Sequence, residues 1–202
     1  MSTAEPSSPS PSSRPAWVSF AVGAVIVVAV VVLFALLRGG DDDGAQSGSG
    51  TSGALGATAA RPQPVAVTPE RLADLSKKRK RPVYWIGLSR GRTYELTQTT
   101  DGSAYVRYLE AGVKVGDTRP NFLTVGSYPQ ADPFKTVMQA SKRSGAQVEK
   151  LDDGGLAVAN RSRPNSWYVA FPGSEELVEV FSPKAGRARQ LVRTERVVPV
   201  EG

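Results

Sequence analysis

The sequence predicts an α+β protein, with one transmembrane helix followed by a small domain of about eight or nine mostly antiparallel strands and three short helices. Three observations lead there. An uncharged apolar run extends from Ala16 to Leu37. Beyond it, short β-rich runs alternate with turns of Gly, Pro, Asp and Asn. Among these runs stand Thr68-Pro69, Asp132-Pro133 and Ser182-Pro183, each a capping side chain followed by a proline suited to the first position of a helix.

Residues 1–15 are mostly Ser and Pro with one acid and one base, too polar to bury a core, and are expected to form a disordered cytoplasmic tail. Ala16 to Leu37 is 22 residues long, and as a helix it would span about 33 Å, enough for the hydrocarbon core of a bilayer. In hydrocarbon every amide must bond internally, so residues 16–37 are expected to be helical and in contact with the lipid bilayer despite their β-branched Val25 to Val32 stretch. Arg14 and Arg38 bracket the run, and Trp17 sits where an interfacial aromatic belongs. One base at each end leaves the charge rule nearly undecided. A head too short to fold, followed by a spacer and a domain, points to a single-pass plasma-membrane protein with its carboxy-terminal domain extracytoplasmic. Residues 38–67, with Gly39-Gly40, Asp41 to Asp43 and a Gly/Ser/Ala/Pro stretch, read as a flexible linker with a reach of roughly 30 Å.

The folded domain is expected over 68–202. Thr68-Pro69-Glu70 opens a helix to about Lys80, with Leu72 and Leu75 as its apolar edge. Val83 to Leu88, Thr93 to Thr99 and Ala104 to Leu109 then form an antiparallel meander, and Phe122 to Tyr128 a fourth strand. A helix from Asp132-Pro133 to Gly145 carries Phe134, Val137, Met138 and Ser141 on one face. Gln147 to Leu151 and Leu156 to Asn160 flank Asp152-Asp153-Gly154-Gly155 as a hairpin, and Trp167 to Phe171 pairs with Leu177 to Phe181. Ser182-Pro183 opens a last helix that buries Ala185, Ala188, Leu191 and Val192, and Val197 to Val200 ends the chain as a strand. The run Val83 to Ile86 with Tyr94 to Leu96 echoes Trp167 to Ala170 with Val178 to Val180, either as an internal repeat or as chance similarity of common strand composition.

Chemistry is bounded by absence. With no Cys and no His the chain has no disulfide, no thiolate or imidazole metal site, no cysteine nucleophile and no triad based on imidazole. No cofactor and no metal are expected. Of the net charge of +6, much lies in Lys77, Lys78, Arg79, Lys80 and Arg81, so a nucleic-acid partner is not expected. Those five bases have two readings: cations completing the last turn of a helix, or a contact with anionic headgroups or wall polymers. Alternation places Tyr84 and Trp85 on opposite faces of their strand, and likewise Trp167 and Tyr168. If helices cover one sheet face, Tyr84, Trp85, Tyr105, Trp167 and Tyr168 supply an aromatic binding face, and core packing is the alternative. Asp152-Asp153 and Glu175-Glu176 sit where turns want polar residues.

The strings PVYWIG, YELT, YVRYL, LTVGSYP, GGLAV and VEVFSP resemble uncharacterised single-pass membrane proteins of actinobacterial type over about residues 68–201, a resemblance that implies no particular activity. Leu123 to Tyr128 followed by a helix to Gly145 is similar to the first half of a sporulation-related (SPOR) repeat, which implies peptidoglycan binding outside the cytoplasm. The expected function is a membrane-anchored, non-enzymatic cell-envelope module that binds a protein partner or peptidoglycan. A carboxylate-based hydrolase of envelope glycans is the alternative, and it requires two carboxylates facing each other across the scissile bond.

Overall fold

The computed structural model describes residues 62–201. Among them are ten strands, β1 (Val65–Val67), β2 (Tyr84–Trp85), β3 (Thr93–Gln98), β4 (Ala104–Leu109), β5 (Leu123–Pro129), β6 (Ala146–Lys150), β7 (Leu156–Asn160), β8 (Arg163–Ala170), β9 (Glu176–Phe181) and β10 (Val198–Pro199). The helices are α1 (Pro69–Arg79), α2 (Pro133–Ser141) and α3 (Arg187–Arg193). The expected fold class is therefore corrected. The strands number ten rather than eight or nine, and among the described residues no helix is long and apolar enough to cross a membrane. The tail 1–15, the run 16–37 and the linker up to residue 61 lie outside the described residues. Val65–Val67, expected in the linker, is instead an edge strand paired antiparallel with β3.

Eight strands form one sheet in the order β1-β3-β4-β5-β9-β8-β7-β6, and every pair in it is antiparallel. β5 meets β9 at the centre, with Val125 opposite Val180 and Gly126 opposite Glu179. On either side of that seam a meander steps outward, β4-β3-β1 and β8-β7-β6. The strand-pair echo does not map onto this arrangement, because β8 and β9 are neighbours whereas β2 leaves the sheet to pair with β10. Pro82 precedes β2 and Gly87, at φ 75°, ends it. Between these breaks the segment crosses the sheet, held by the Tyr84 N–H donating to Ser127 Oγ at 2.9 Å and the Ile86 N–H donating to the Tyr108 hydroxyl at 2.8 Å.

The helices begin where capping chemistry allows. Thr68 Oγ1 accepts from the Arg71 N–H and Asp132 Oδ1 from the Lys135 N–H, with Pro at the start of both α1 and α2. α3 starts at Arg187, after Gly186, and not at Ser182-Pro183, so Ala185 is exposed and only Ala188, Leu191 and Val192 are buried. On α2 the buried positions are Pro133, Val137 and Ala140, which leaves Met138 outside.

Both faces of the sheet are covered. On the first lie α1, α3 and the β2–β10 pair, over Val106, Val125, Trp167, Val178 and Val180. On the second lies α2, over Tyr105, Tyr128, Val158, Tyr168 and Leu177. This double cover overturns the expected aromatic face. Trp167 and Tyr168 do point to opposite sides, but each side is core: relative exposure is 0% for Trp167, 3% for Tyr168, and 6% for both Tyr84 and Tyr105. Trp85 is half-buried and meets Tyr94 edge-on at 6.0 Å.

The rest of the second face is closed by the segment 110–121, which a buried ion pair holds down. Glu95, 0% exposed, accepts from Arg107 Nη1 at 2.6 Å and from the Gly116 N–H at 2.6 Å. Arg107 Nη2 donates to the carbonyls of Asp117 (2.8 Å) and Arg119 (3.1 Å), and the guanidinium lies 4.6 Å from the centre of the Phe122 ring. Removing one partner of such a pair leaves an uncompensated buried charge. Arg107→Ala is expected to lower the unfolding free energy in urea by about 3–5 kcal/mol, and Glu95→Gln with Arg107→Met together by clearly less. A loss under about 1 kcal/mol for the single change would mean that this pair does not hold the segment.

Candidate functional site

A groove of about 380 Å³ forms where four parts of the chain converge on the first face. β8 contributes Val169 and continues through Phe171 and Pro172 into its turn. The β6–β7 turn adds Leu151 and Asp153, the end of α3 adds Val192 and Glu195, and the terminal strand adds Val197, Val198 and Pro199. Tyr84 of β2 lines the groove too, stacked on Phe171 with ring centres 5.6 Å apart and planes 7° from parallel. Burial pushes the Tyr84 phenol above its ordinary range, with hydrogen bonding to Ser174 opposing. The wall is fixed by the β2–β10 register, Val198 opposite Trp85 and Pro199 opposite Tyr84, and by the Val200 N–H donating to the Val83 carbonyl at 2.8 Å.

Glu195 is delivered to the rim by the way α3 stops. The Arg196 N–H donates to Leu191 O and the Glu195 N–H to Val192 O, both at 3.0 Å, and Glu195 takes the left-handed conformation at φ 50° that a helix of this ending usually gives to glycine. Its Oε1 accepts from the Asp152 N–H at 2.7 Å, tying the helix end to the β6–β7 turn. Asp153 Oδ1 accepts from the Gly155 N–H at 2.9 Å within that turn. Both carboxylates are thus held by backbone amides at the mouth of an apolar groove.

The five bases separate into two groups. Lys77, Lys78 and Lys80 are exposed. Arg79 and Arg81 turn inward to Glu176, whose side chain is 1% exposed, each with a nitrogen 3.7 Å from Oε1. Arg79 Nη2 also donates to the Gly102 carbonyl at 2.5 Å, and Arg81 reaches Glu175 at 3.3 Å. Burial drives the Glu176 carboxyl upward and the Arg79 guanidinium downward, and their mutual attraction opposes both shifts. Arg79 and Arg81 therefore belong to the fold, whereas the three lysines are presented to solvent. Of the expected aromatics only Tyr84 lines the groove, and Trp85 packs instead against Tyr94. Trp167, Tyr105 and Tyr168 take no part in the groove.

A third buried carboxylate, Glu179, lies at the centre of the other face. Glu179 stands opposite Gly126 on β5 and Tyr168 on β8. Tyr128 lies across Gly126 to donate its hydroxyl to Glu179 Oε2 at 2.7 Å, so close that a Cβ at 126 would meet the ring and hydroxyl at 2.8–2.9 Å. Glycine is required there for that approach. Burial holds the Glu179 carboxyl above its ordinary value of 4.5, with hydrogen bonds from Tyr128, Ser166 and Tyr168 opposing, and Tyr128 and Tyr168 are themselves pushed up. The cluster does not line the groove described above.

Asp153 was readable from the sequence as a turn residue only, and Glu195 carried no local signal, because its place depends on a helix ending without glycine. No protein-family model, curated protein or solved structure matches the chain, so the functional reading rests on this geometry.

The sign of the Glu179 shift gives a pH test. A folded-state value above the unfolded 4.5 means the contribution is fully present below pH 4.5 and is lost as pH rises through the folded value. Glu179→Gln keeps an acceptor for Tyr128 and removes the charge. Its stability, followed by thermal unfolding, is expected to fall less than that of the parent between pH 4.5 and 8. Parallel profiles for the two proteins would contradict the assignment.

Proposed function

We propose that the protein is a non-enzymatic cell-envelope module that holds a segment of a protein partner in the groove walled by β10, α3 and the ends of β6 and β8. The observation that carries the proposal is the groove itself, an apolar channel of ligand size whose walls are braced before any ligand arrives. Preformed walls reduce the ordering cost of binding. The carboxylates at its mouth, Asp153 and Glu195, are each engaged by a backbone amide, an arrangement that supports a fixed electrostatic rim rather than an acid and a nucleophile poised over a bond.

A protein segment is favoured over a wall glycan because sugar recognition draws on open aromatic rings, and Tyr105, Trp167 and Tyr168 are buried. The uncharged apolar sequence from Ala16 to Leu37 supports a place at the plasma membrane, and a head too short to fold followed by a spacer and a domain supports an extracytoplasmic domain. The exposed Lys77, Lys78 and Lys80 are compatible with an anionic surface nearby.

A photo-reactive residue at Val198, 39% exposed on the groove wall, tests the reading in whole cells. It is expected to give a discrete protein adduct, whereas the same residue at Arg163, exposed at the opposite end of β8, gives none. Phe171→Ala is expected to reduce the adduct by at least about five-fold. Equal labelling from both positions, or pelleting of the full-length chain with purified peptidoglycan in a manner that Phe171→Ala abolishes, would overturn the protein-segment reading.

A further inference from the structure

Resting on that reading, we infer that the groove selects a cationic segment: a bulky apolar anchor followed by Lys or Arg. The chain as a whole is basic, with a net charge of +6, yet the groove mouth is acidic. Asp153 and Glu195 line it and are exposed, and the 2.7 Å bond from the N–H of the adjacent, exposed Asp152 to Glu195 Oε1 ties the two segments together. Neighbouring cations are drawn elsewhere. Arg189 and Arg193 reach Glu149, at 2.7 and 3.8 Å, and Arg196 donates to the Ile86 carbonyl at 3.2 Å. Lys150 is exposed on the same hairpin, one base against the two lining acids and Asp152 beside them.

The apolar part is set by Val169, Phe171, Val192, Val197 and Val198, and the one phenol in the lining, Tyr84, is buried with its ring stacked on Phe171. At about 380 Å³ the groove has room for an anchor of a few side chains and not for a folded domain. Orientation falls to the rim, where two carboxylates are pinned by backbone amides and need no reordering when a cation arrives. An acidic segment meets like charge at the same place, so the rim discriminates by repulsion as well as by attraction.

The test uses the full-length chain and three capped peptides that share the apolar sequence Leu-Phe-Pro-Val and end in Lys-Lys, Gln-Gln or Glu-Glu. Binding is followed by NMR shifts at Val197, Val198 and Val200. At low salt the lysine peptide is expected to bind about ten-fold tighter than the glutamate peptide, with the glutamine peptide between them, and the spread should shrink as salt screens the rim. The double variant Asp153→Asn with Glu195→Gln preserves both amide acceptors, and it should bring that ratio to within about two-fold of unity. Equal affinities for the three peptides would overturn the charge selection and leave the groove reading standing. A lysine preference that persists in the double variant would overturn the role of these two carboxylates. No shift at the groove with any peptide would overturn the groove reading together with the inference.

Discussion

Thr124 to Pro129 of β5 lies antiparallel to Glu176 to Phe181 of β9, and almost everything else in the molecule depends on that seam. Each strand ends its own meander, so without the seam the chain would carry two small sheets with four long edges exposed. Joined, they offer continuous faces wide enough for helices on both sides. The first face places β2, from the early half, next to α3 and β10 from the end of the chain. Tyr84 stacks on Phe171 across that junction, so the groove exists only because the halves are locked in register.

The sheet also carries three buried carboxylates, each in a different setting, and among the described residues the oxygens of Glu176 have no hydrogen-bond partner. Glu95 has a close arginine and a backbone amide, Glu176 has two arginines at 3.7 Å, and Glu179 has tyrosine hydroxyls and no cation in contact. Buried charge is expensive, and hydrophobic replacements of such groups are often at least as stable. What the three acids supply is register and closure: Glu95 holds down 110–121, Glu176 anchors the end of α1, and Glu179 fixes Tyr128 over Gly126 at the seam.

Much of this fold was legible in the sequence where local chemistry decides. Thr68-Pro69 and Asp132-Pro133 mark helix starts, and the runs at β3, β4, β7 and β9 carry strand composition between turn residues. What escaped depends on contacts remote in sequence. β2 was read into the first meander because its composition fits a central strand, yet its amides are taken by Ser127 and Tyr108, 43 and 22 residues away. The aromatic face failed for a related reason: alternation shows which side a ring takes but not whether a helix lies over that side. The groove was least legible, since Asp153, Phe171, Glu195 and Val198 come from four separate segments and only the tertiary fold brings them together.

The most direct measurement of the seam's role is native-state hydrogen exchange on the full-length chain, residue by residue. If β5 and β9 lock the halves into one unit with a standing groove wall, the amides of Val125, Val178 and Val180 will exchange only through global unfolding. The Val200 amide, bonded to Val83, will then be protected well beyond an exposed strand end. Were β6 to β9 to exchange through a separate opening of clearly lower free energy than β3 to β5, or the Val200 amide to exchange as freely as a frayed terminus, the two halves would be independent and the groove would not be preformed.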